Sequence, residues 1–312
     1  MAGKKKVLVT GGAGFIASHV VDLLVKKGFG VAVVDNLSAG QLKNVDKRAK
    51  FYKADITNLV QLEKVFRKER PNVVVHAAAQ VQVIYSMMNP QEDAKTNIIG
   101  GINAIDLSRK YRVKKFVYLS TGGALYGEPE YLPADENHPV NPICGYGASK
   151  RALEYYLYLY HQNYKLDYTV LRFSNVYGPR DDPKCKRAVP NFILSIMKGS
   201  RPFITGDGRQ GRDFIFVEDV ARASLLAIER KAKDRIFNIG TQKEISINEL
   251  FLTLKDIMGS KIMAKHIPGR KGEVRQIYLS NARAKKQLGW KPMVTFRQGL
   301  KKTVEYFYKE YK

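Results

Sequence analysis

The chain has 312 residues, of which 45% are hydrophobic and 26% charged, with a formal net charge of +24. This composition is ordinary for a soluble globular protein and excludes collagen-like and disordered classes. No apolar run is long enough for a transmembrane helix, and the glycine-broken stretch after the first lysines is interpreted as a strand, not a signal peptide. With two cysteines, we expect no disulfide framework, no metal site and a cytoplasmic location.

The net charge raises the class of nucleic-acid-binding proteins. The basic residues are spread along the chain, however, and many lie in amphipathic stretches such as NLVQLEKVFRKER (58–70). No familiar nucleic-acid-binding motif accompanies them. We therefore interpret them as a solvated surface that attracts small anions, including dinucleotides and nucleotide-sugars, and we expect neither nucleic acid nor a membrane as a partner.

Short β-branched segments alternate with amphipathic segments through the first half of the chain. KVLVT (6–10), GVAVVD (30–35), NVVVH (72–76) and KKFVYLS (114–120) are nearly continuous apolar strands, which is typical of a parallel sheet buried on both faces. The sequence predicts an α/β fold with a Rossmann-type doubly wound parallel sheet. After about residue 175 the rhythm loosens into Gly/Pro-rich loops, which predicts a smaller C-terminal α/β lobe.

The first strand leads into a glycine turn and a helix in VLVTGGAGFIASHVV (7–21). Gly11 permits the tight turn, Gly14 lets a pyrophosphate approach the backbone, and Ala17 stands where the helix packs against the strand. Asp35 ends the next strand, where its carboxylate would bind ribose hydroxyls and repel a 2′-phosphate. The pattern predicts an NAD site; the alternative is a plain strand–turn–helix with an exposed aspartate.

A second candidate site lies in CGYGASK (144–150), where Tyr146 and Lys150 share one face of a predicted helix. A nearby lysine cation favours the phenolate and lowers the pKa of a tyrosine, which makes it a better general base. Ser120 and Thr121 end the preceding strand, at the sheet edge where α/β proteins bind ligands. We expect Thr121 and Tyr146 to meet one substrate oxygen; the alternative is a surface pair.

The motifs TGGAGFIAS, STGGALYG, YGASK and RFSNVYGPR occur in this order over nearly the whole chain. In this respect the sequence resembles the extended short-chain dehydrogenase/reductases, and within them the UDP-glucose 4-epimerases. The resemblance implies a catalytic set of Thr121, Tyr146 and Lys150. It implies that NAD is bound by Gly11, Gly14, Phe15, Ile16, Asp35, Asn36, Asp55, Ile56, Ala78, Ala79, Gln80, Asn97, Tyr146 and Lys150. It implies that a UDP-sugar is bound by Thr121, Tyr146, Asn175, Val189, Arg212, Arg270 and Glu273.

The resemblance also bears on the reaction. Dehydratases and decarboxylases of this family place acidic residues just after the catalytic Ser/Thr, whereas this chain has Gly122 and Gly123 there. We therefore expect C4 epimerisation of a UDP-hexose by transient oxidation to a 4-keto sugar. The alternatives are a UDP-N-acetylhexosamine 4-epimerase, a 4,6-dehydratase, a UDP-glucuronate decarboxylase and a non-enzymatic dinucleotide sensor. Ile277 is expected near the position that controls acceptance of an N-acetyl group.

Two segments depart from the family pattern. Cys144 and Gly145 stand where the family usually has Ser-Pro, and Met87 and Met88 stand where relatives often have a more polar pair. We interpret Cys144 as a small buried thiol and the methionines as packing residues. The aromatic segment RALEYYLYLYHQNY (151–164) is expected to pair two subunits in a homodimer, as the family does.

These interpretations divide the chain into two predicted domains. Residues 1–174, with about 213–240, form the NAD-binding Rossmann domain. Residues 175–212 and 241–312 form the nucleotide-sugar-binding lobe.

Overall fold

The computed structural model describes residues 5–269 and 274–311 of the chain. In this part a seven-stranded sheet forms the centre of the larger lobe. Its strands are β1 (Lys6–Thr10), β2 (Gly30–Asp35), β3 (Lys50–Lys53), β4 (Val73–His76), β5 (Lys115–Thr121), β6 (Tyr168–Phe173) and β11 (Ile236–Ile239).

The seven strands are arranged in the order β3-β2-β1-β4-β5-β6-β11, and every neighbouring pair is parallel. The order reverses direction between β1 and β4, which is the doubly wound arrangement with a ligand crevice at the carboxyl ends of those strands. The predicted Rossmann-type fold is therefore confirmed. In particular, Thr10 pairs with His76 in register, so the chain segments after both strands meet at that crevice.

Helices cover both faces of this sheet. They are α1 (Phe15–Lys26), α2 (Leu59–Glu69), α3 (Val83–Met88), α4 (Pro90–Ala94), α5 (Gly100–Lys110), α6 (Gly145–Tyr164), α8 (Val217–Glu229) and α10 (Ala282–Leu288). The apolar sides of α1, α8 and α10 fill one face, and those of α2, α5 and α6 fill the other. Trp290, which the predicted division assigns to the C-terminal lobe, is fully buried in the first of these cores.

The helical stretch that leads to β5 is not uniform. A π-helical segment, Lys95–Ile99, joins α4 to α5. Segments of this kind are rare and occur frequently at functional sites. Here the wider turn contains Asn97, whose side chain is buried against the start of α6.

The smaller lobe is built from short strands and three helices among the described residues. The strands are β7 (Asn175–Tyr177), β8 (Phe203–Thr205), β9 (Gly211–Arg212), β10 (Phe214–Phe216), β12 (Ile245–Ser246), β13 (Lys265–Ile267) and β14 (Gln276–Ile277), and the helices are α7 (Ala188–Met197), α9 (Ile247–Ile257) and α11 (Phe296–Tyr311). Aromatic and branched side chains of these helices form a separate core, so the lobe has its own hydrophobic centre.

Asp213 joins the two lobes where the chain passes between them. Its carboxylate is almost completely buried and accepts hydrogen bonds from the Thr241 N–H (2.9 Å) and hydroxyl (2.6 Å). It also accepts the N–H groups of Gln242 and Leu279, each at 3.3 Å. A buried carboxylate needs such donors, and they come from the segments after β11 and β14.

Candidate active site

The glycine turn after β1 lies directly against the segment after β4. Gly11 has a φ of +71°, and a Cβ placed on it would lie 2.6 Å from the backbone nitrogen of Ala78. Only glycine is compatible with both conditions. Gly14 caps α1, so the first N–H groups of that helix face the crevice without intrahelical partners. This is the geometry that binds phosphate at a helix N-terminus.

Asp35 and Asp55 lie at the far end of the same crevice. The Asp35 carboxylate accepts the N–H groups of Ala13 (3.0 Å) and Leu37 (2.8 Å). Burial raises its pKa, and these two hydrogen bonds act in the opposite direction. Asn36 donates to the Asp55 carboxylate at 2.7 Å. The two carboxylates are thus held by neighbouring groups at the ends of β2 and β3.

A single cleft runs from the glycine turn to Tyr146 and Lys150. All the predicted cofactor residues except Gln80 and Asn97 line it. The cleft is open to solvent on one side, and its length is set by the carboxyl ends of β2, β1, β4 and β5. The structure therefore brings together two motifs that are separated by more than 100 residues in the sequence.

Gln80 and Asn97 are joined to each other and to neighbouring groups by hydrogen bonds. The Asn97 amide donates to the Gln80 carbonyl (3.0 Å) and to the Ser149 hydroxyl (3.0 Å), and its oxygen accepts the Gln80 N–H (2.8 Å). The Gln80 side chain donates to the buried carboxylate of Asp93 at 2.8 Å. These polar groups fix the loop after β4 against α6, and the predicted cofactor role of Gln80 and Asn97 stays a prediction.

Thr121 ends β5, and Tyr146 lies in the first turn of α6. The two side chains share a hydrogen bond, which favours the phenolate form of Tyr146. Burial acts more strongly and raises the pKa of Tyr146 above its ordinary value. The phenol of Tyr146 is therefore protonated at neutral pH. A nearby cation acts against this effect of burial and lowers the pKa of Tyr146.

That cation in the cofactor-free chain is Arg187 rather than Lys150. Among the charges that act on Tyr146, Arg187 has the largest effect in lowering its pKa. Arg187 also lines the cleft, lies over the Phe15 ring (5.5 Å to its centroid), and donates to the buried carboxylate of Asp181 at 2.5 Å. No sequence motif marks Arg187, because its position depends on how the smaller lobe folds onto the sheet.

Lys150 is fully enclosed beneath Tyr146. Its ammonium group lies 4.4 Å from the centroid of the Tyr118 ring. Burial lowers the pKa of Lys150 to about 7, and the nearby carboxylates of Glu154 and Asp93 act against that shift. Near neutral pH, Lys150 is therefore present in both its charged and its neutral form. Its predicted role in lowering the pKa of Tyr146 requires the charged form, which a bound ligand would have to favour.

Comparison with known proteins agrees with this geometry. The profile of the NAD dependent epimerase/dehydratase family matches residues 7–240. The chain belongs to this family.

Three relatives of this family member are similar over almost their whole length. The Thermotoga maritima UDP-glucose 4-epimerase solved with UDP-glucose is 46% identical, with a TM-score of 0.96 and coverage of 98% of this chain and 100% of that one. The Thermus thermophilus UDP-glucose 4-epimerase complex with NAD is 39% identical, with a TM-score of 0.92 and coverage of 97% and 99%. A UDP-glucose 4-epimerase of Mycolicibacterium smegmatis is 38% identical, with coverage of 97% and 98%.

In this epimerase/dehydratase chain, the turn after Thr121 is closely packed against two side chains. A Cβ on Gly122 would lie 2.5 Å from a methyl carbon of Leu279, and one on Gly123 would lie 3.2 Å from the amide oxygen of Asn175. The first carboxylate after the turn, Glu128, accepts the backbone N–H of Arg275 at 3.2 Å. Larger side chains at positions 122 and 123 would therefore require the side chains of Leu279 and Asn175 to shift.

The predicted substrate residues are placed unequally. Asn175 lies beside the Gly123 turn, close to the catalytic residues. The guanidinium of Arg212 donates to the carbonyl oxygens of Gly211 (2.8 Å) and Arg275 (3.2 Å). Val189 needs correction, because its side chain is buried in the core of the smaller lobe. Two further predicted residues lie outside the described part of the chain, namely Arg270 and Glu273.

Cys144 and Ile277 also have defined surroundings. The Cys144 thiol caps α6 by accepting the Gly147 N–H at 3.4 Å, and burial raises its pKa, so it is not an activated nucleophile. Ile277 is buried in a small cluster with Tyr126 and Leu279. It lies one strand away from Arg212, with which it pairs in register.

Proposed function

We propose that the chain is an NAD-dependent UDP-glucose 4-epimerase, which interconverts UDP-galactose and UDP-glucose. The family and the names of the relatives support this assignment at the level of the whole chain. The observation that carries it within the site is the Thr121-Gly122-Gly123 turn. It lacks a carboxylate that elimination or decarboxylation would use, and a methyl carbon of Leu279 lies 2.5 Å from the position of a Cβ on Gly122.

NAD fits the residues of the cleft. The Gly11 turn leaves a cradle that a Cβ would fill, and the N-terminus of α1 offers N–H groups to the pyrophosphate. Asp35 and Asn36 would bind the adenosine ribose, with Asp55 and Ile56 beside the adenine. Bound NAD would supply the acceptor for the hydride of the substrate and the donor that returns it.

The catalytic residues move the proton of the substrate hydroxyl. Tyr146 takes the proton of the C4 hydroxyl as that carbon is oxidised, and Thr121 donates a hydrogen bond to the same oxygen. The resulting 4-keto sugar turns over in the pocket, and Tyr146 returns the proton after reduction at the opposite face. Asn175 and Arg212 hold the nucleotide portion, with guanidinium matched to phosphate oxygens, so the sugar turns without being released.

The sugar itself is an open part of the proposal. Ile277 is of intermediate size and is buried, so UDP-N-acetylhexosamines belong in the substrate panel. Other family relatives carry the names of dTDP-D-glucose 4,6-dehydratases and a UDP-glucuronic acid decarboxylase. A dinucleotide sensor would bind NAD without turnover. Each enzymatic alternative gives a different product, and the sensor gives none.

The test is an assay of the purified protein with UDP-galactose, UDP-N-acetylglucosamine, dTDP-glucose and UDP-glucuronate. We expect UDP-glucose from UDP-galactose, with no keto-deoxy sugar and no carbon dioxide. Tyr146→Phe is expected to lose activity while it keeps its cofactor. Tyr155→Phe, an exposed position on the same helix, is the matched control. Absence of turnover by the wild type, or full activity of Tyr146→Phe, would contradict the proposal.

Assembly, compartment and domain division are further parts of the proposal. A homodimer is supported by the exposed face of α6 that carries Tyr155, Tyr158 and Leu159, and its test is the mass in solution. Both cysteines are free thiols, which fits a reducing cytoplasm. No helix in the described ranges is long and apolar enough to cross a bilayer. The proposed NAD-binding domain consists of residues 1–174 and about 213–240 together with α10 and Trp290, which pack in its core, and the proposed sugar-binding domain is the rest of 175–212 and 241–312.

A further inference from the structure

Two departures of this chain from its family pattern meet in the fold. Gly145 precedes the catalytic tyrosine, and Met87 lies near the end of α3. The N–H of Gly145 donates a hydrogen bond to the Met87 sulfur at 3.4 Å. Nearly 60 residues separate these positions in the sequence, and α3 brings them together by packing against the N-terminus of α6.

Ser86, next to Met87, contacts the catalytic residue directly. It is completely buried, and its hydroxyl donates to the Val83 carbonyl at 2.6 Å while it accepts the N–H of Tyr146 at 2.9 Å. The first N–H groups of a helix have no intrahelical acceptor. The Ser86 hydroxyl therefore provides the partner for one of them and fixes the backbone of Tyr146 to α3.

Gly145 permits this contact sterically. A Cβ on Gly145 would lie 2.7 Å from the carbonyl oxygen of Ser86. Proline is otherwise favourable at the first position of a helix, but it has a Cβ and no N–H to donate to Met87. In this chain α3 thus lies closer to α6 than any residue other than glycine at position 145 allows.

We propose that Ser86 and Gly145 together hold the backbone of the catalytic Tyr146 in position, and we call this pair of residues the seat of the tyrosine. They are positioning residues: Ser86 fixes the backbone of Tyr146, and Gly145 lets Ser86 come close enough to do so. This inference rests on the proposed function, since it takes Tyr146 as the acid and base of the epimerisation. The phenol must reach the same oxygen when either face of the sugar is presented, so the position of its backbone limits the rate.

Ser86 and Gly145 affect the rate through the position of the Tyr146 phenol and not through a charge. Displacement of a reacting group by about 1 Å can lower a rate on the order of a hundredfold. Loss of the Ser86 hydroxyl frees the N–H of Tyr146, and a methyl at position 145 pushes α3 and α6 apart. Both changes move the phenol, which lies at one end of the cleft, and leave the Gly11 turn, Asp35 and the Arg212 region unaltered.

The test compares Ser86→Ala and Gly145→Ala with Ser108→Ala. Ser108 is a matched control, because it is equally buried and donates a similar bond to Ala104 (2.6 Å), but on α5. We expect both seat variants to lower kcat by about tenfold to a hundredfold, with KM and bound NAD close to wild type. We also expect a changed pH profile of kcat. Ser108→Ala is expected to keep the wild-type kcat and pH profile.

A purely structural role would lower thermal stability without these effects. If kcat of Ser86→Ala and Gly145→Ala equals that of Ser108→Ala, the seat is refuted. Should Gly145→Ala fail to fold, Ser86→Ala decides the question alone. A crystal structure of Ser86→Ala with Tyr146 unmoved despite a lowered kcat would also refute it. In all these cases an active wild type and an inactive Tyr146→Phe leave the proposed function standing, whereas an inactive wild type refutes that function itself.

Discussion

The ammonium group of Lys150 donates a hydrogen bond of 2.7 Å to the carbonyl oxygen of Leu119. This contact ties α6 to the end of β5 and holds the amine in a fully enclosed site. Burial lowers the pKa of the amine to about 7, while an unfolded lysine has a pKa of about 10.4. The protonation of Lys150 is therefore linked to the stability of the cofactor-free protein.

The sign of this linkage can be tested with Lys150→Met. Between pH 7 and about 10 the unfolded chain binds more protons at Lys150 than the folded chain does, so stability rises with pH by at most about 1.4 kcal/mol per unit. The variant lacks this term. We expect the wild type to gain stability relative to Lys150→Met over that range in urea denaturation. A difference that is constant with pH, as expected for the exposed control Lys302→Met, would contradict the assigned pKa.

Arg187 is expected to set the alkaline behaviour of Tyr146. Removal of its charge in Arg187→Gln raises the pKa of the phenol, because this guanidinium is the main group that lowers it. The ascending limb of the kcat profile should move to higher pH. Arg297→Gln is the control, since Arg297 pairs with Asp256 on the surface at 2.5 Å, and its profile should match the wild type. An unchanged profile in Arg187→Gln would exclude this electrostatic role.

Gly11→Ala separates backbone strain from close packing. Gly11 and Gly28 both have positive φ angles, +71° and +83°, but a Cβ on Gly28 would have no neighbour within 4 Å. Gly28→Ala should lower the free energy of unfolding by about 1–2 kcal/mol and leave NAD binding unchanged. Gly11→Ala should additionally displace the Ala78 backbone and weaken NAD binding. Calorimetric titration with NAD checks this, and equal affinities in the two variants would contradict it.

A buried ion pair joins α6 to β6. Arg172 and Glu154 pair at 2.6 Å with both side chains almost fully enclosed, and Arg172 also donates to the Tyr126 hydroxyl at 3.0 Å. Arg172→Met should lower the free energy of unfolding by less than the about 3–5 kcal/mol of a fully unpaired buried charge, because the Glu154 carboxylate keeps Arg151 (2.9 Å) and the Ser120 hydroxyl (2.8 Å) as partners. Lys302→Met breaks the exposed pair with Glu218 and should change it by about 0–1 kcal/mol. Chemical denaturation at neutral pH compares them, and similar losses would contradict the argument.

The sequence carried enough information for the fold because the relevant signals are local. The apolar strands, the Gly11 turn and the aspartate that ends β2 each follow from a short window, and the seven-stranded parallel sheet confirmed the predicted class. The motifs around Thr121 and Tyr146 could also be placed at one edge of the sheet, because strand ends meet there.

The remaining features depend on contacts between distant segments. Arg187 reaches the cleft only because the smaller lobe folds over the end of the sheet, and no local pattern marks it. The contact between Ser86 and Tyr146 joins residues that are 60 positions apart. Asn97 lies in a π-helical turn, from which its amide donates to the carbonyl oxygen of Gln80 at 3.0 Å. Such placements follow from tertiary packing, which single-sequence patterns do not encode.

The buried carboxylate of Asp213 has a consequence for how this protein can change. It binds backbone N–H groups of Thr241 and Leu279, and these groups persist whatever side chains follow them. Substitutions in the outer loops therefore leave these hydrogen bonds at the crossing between the lobes in place. Asp213 therefore keeps the segments after β11 and β14 together at the crossing through contacts that are largely independent of side-chain identity.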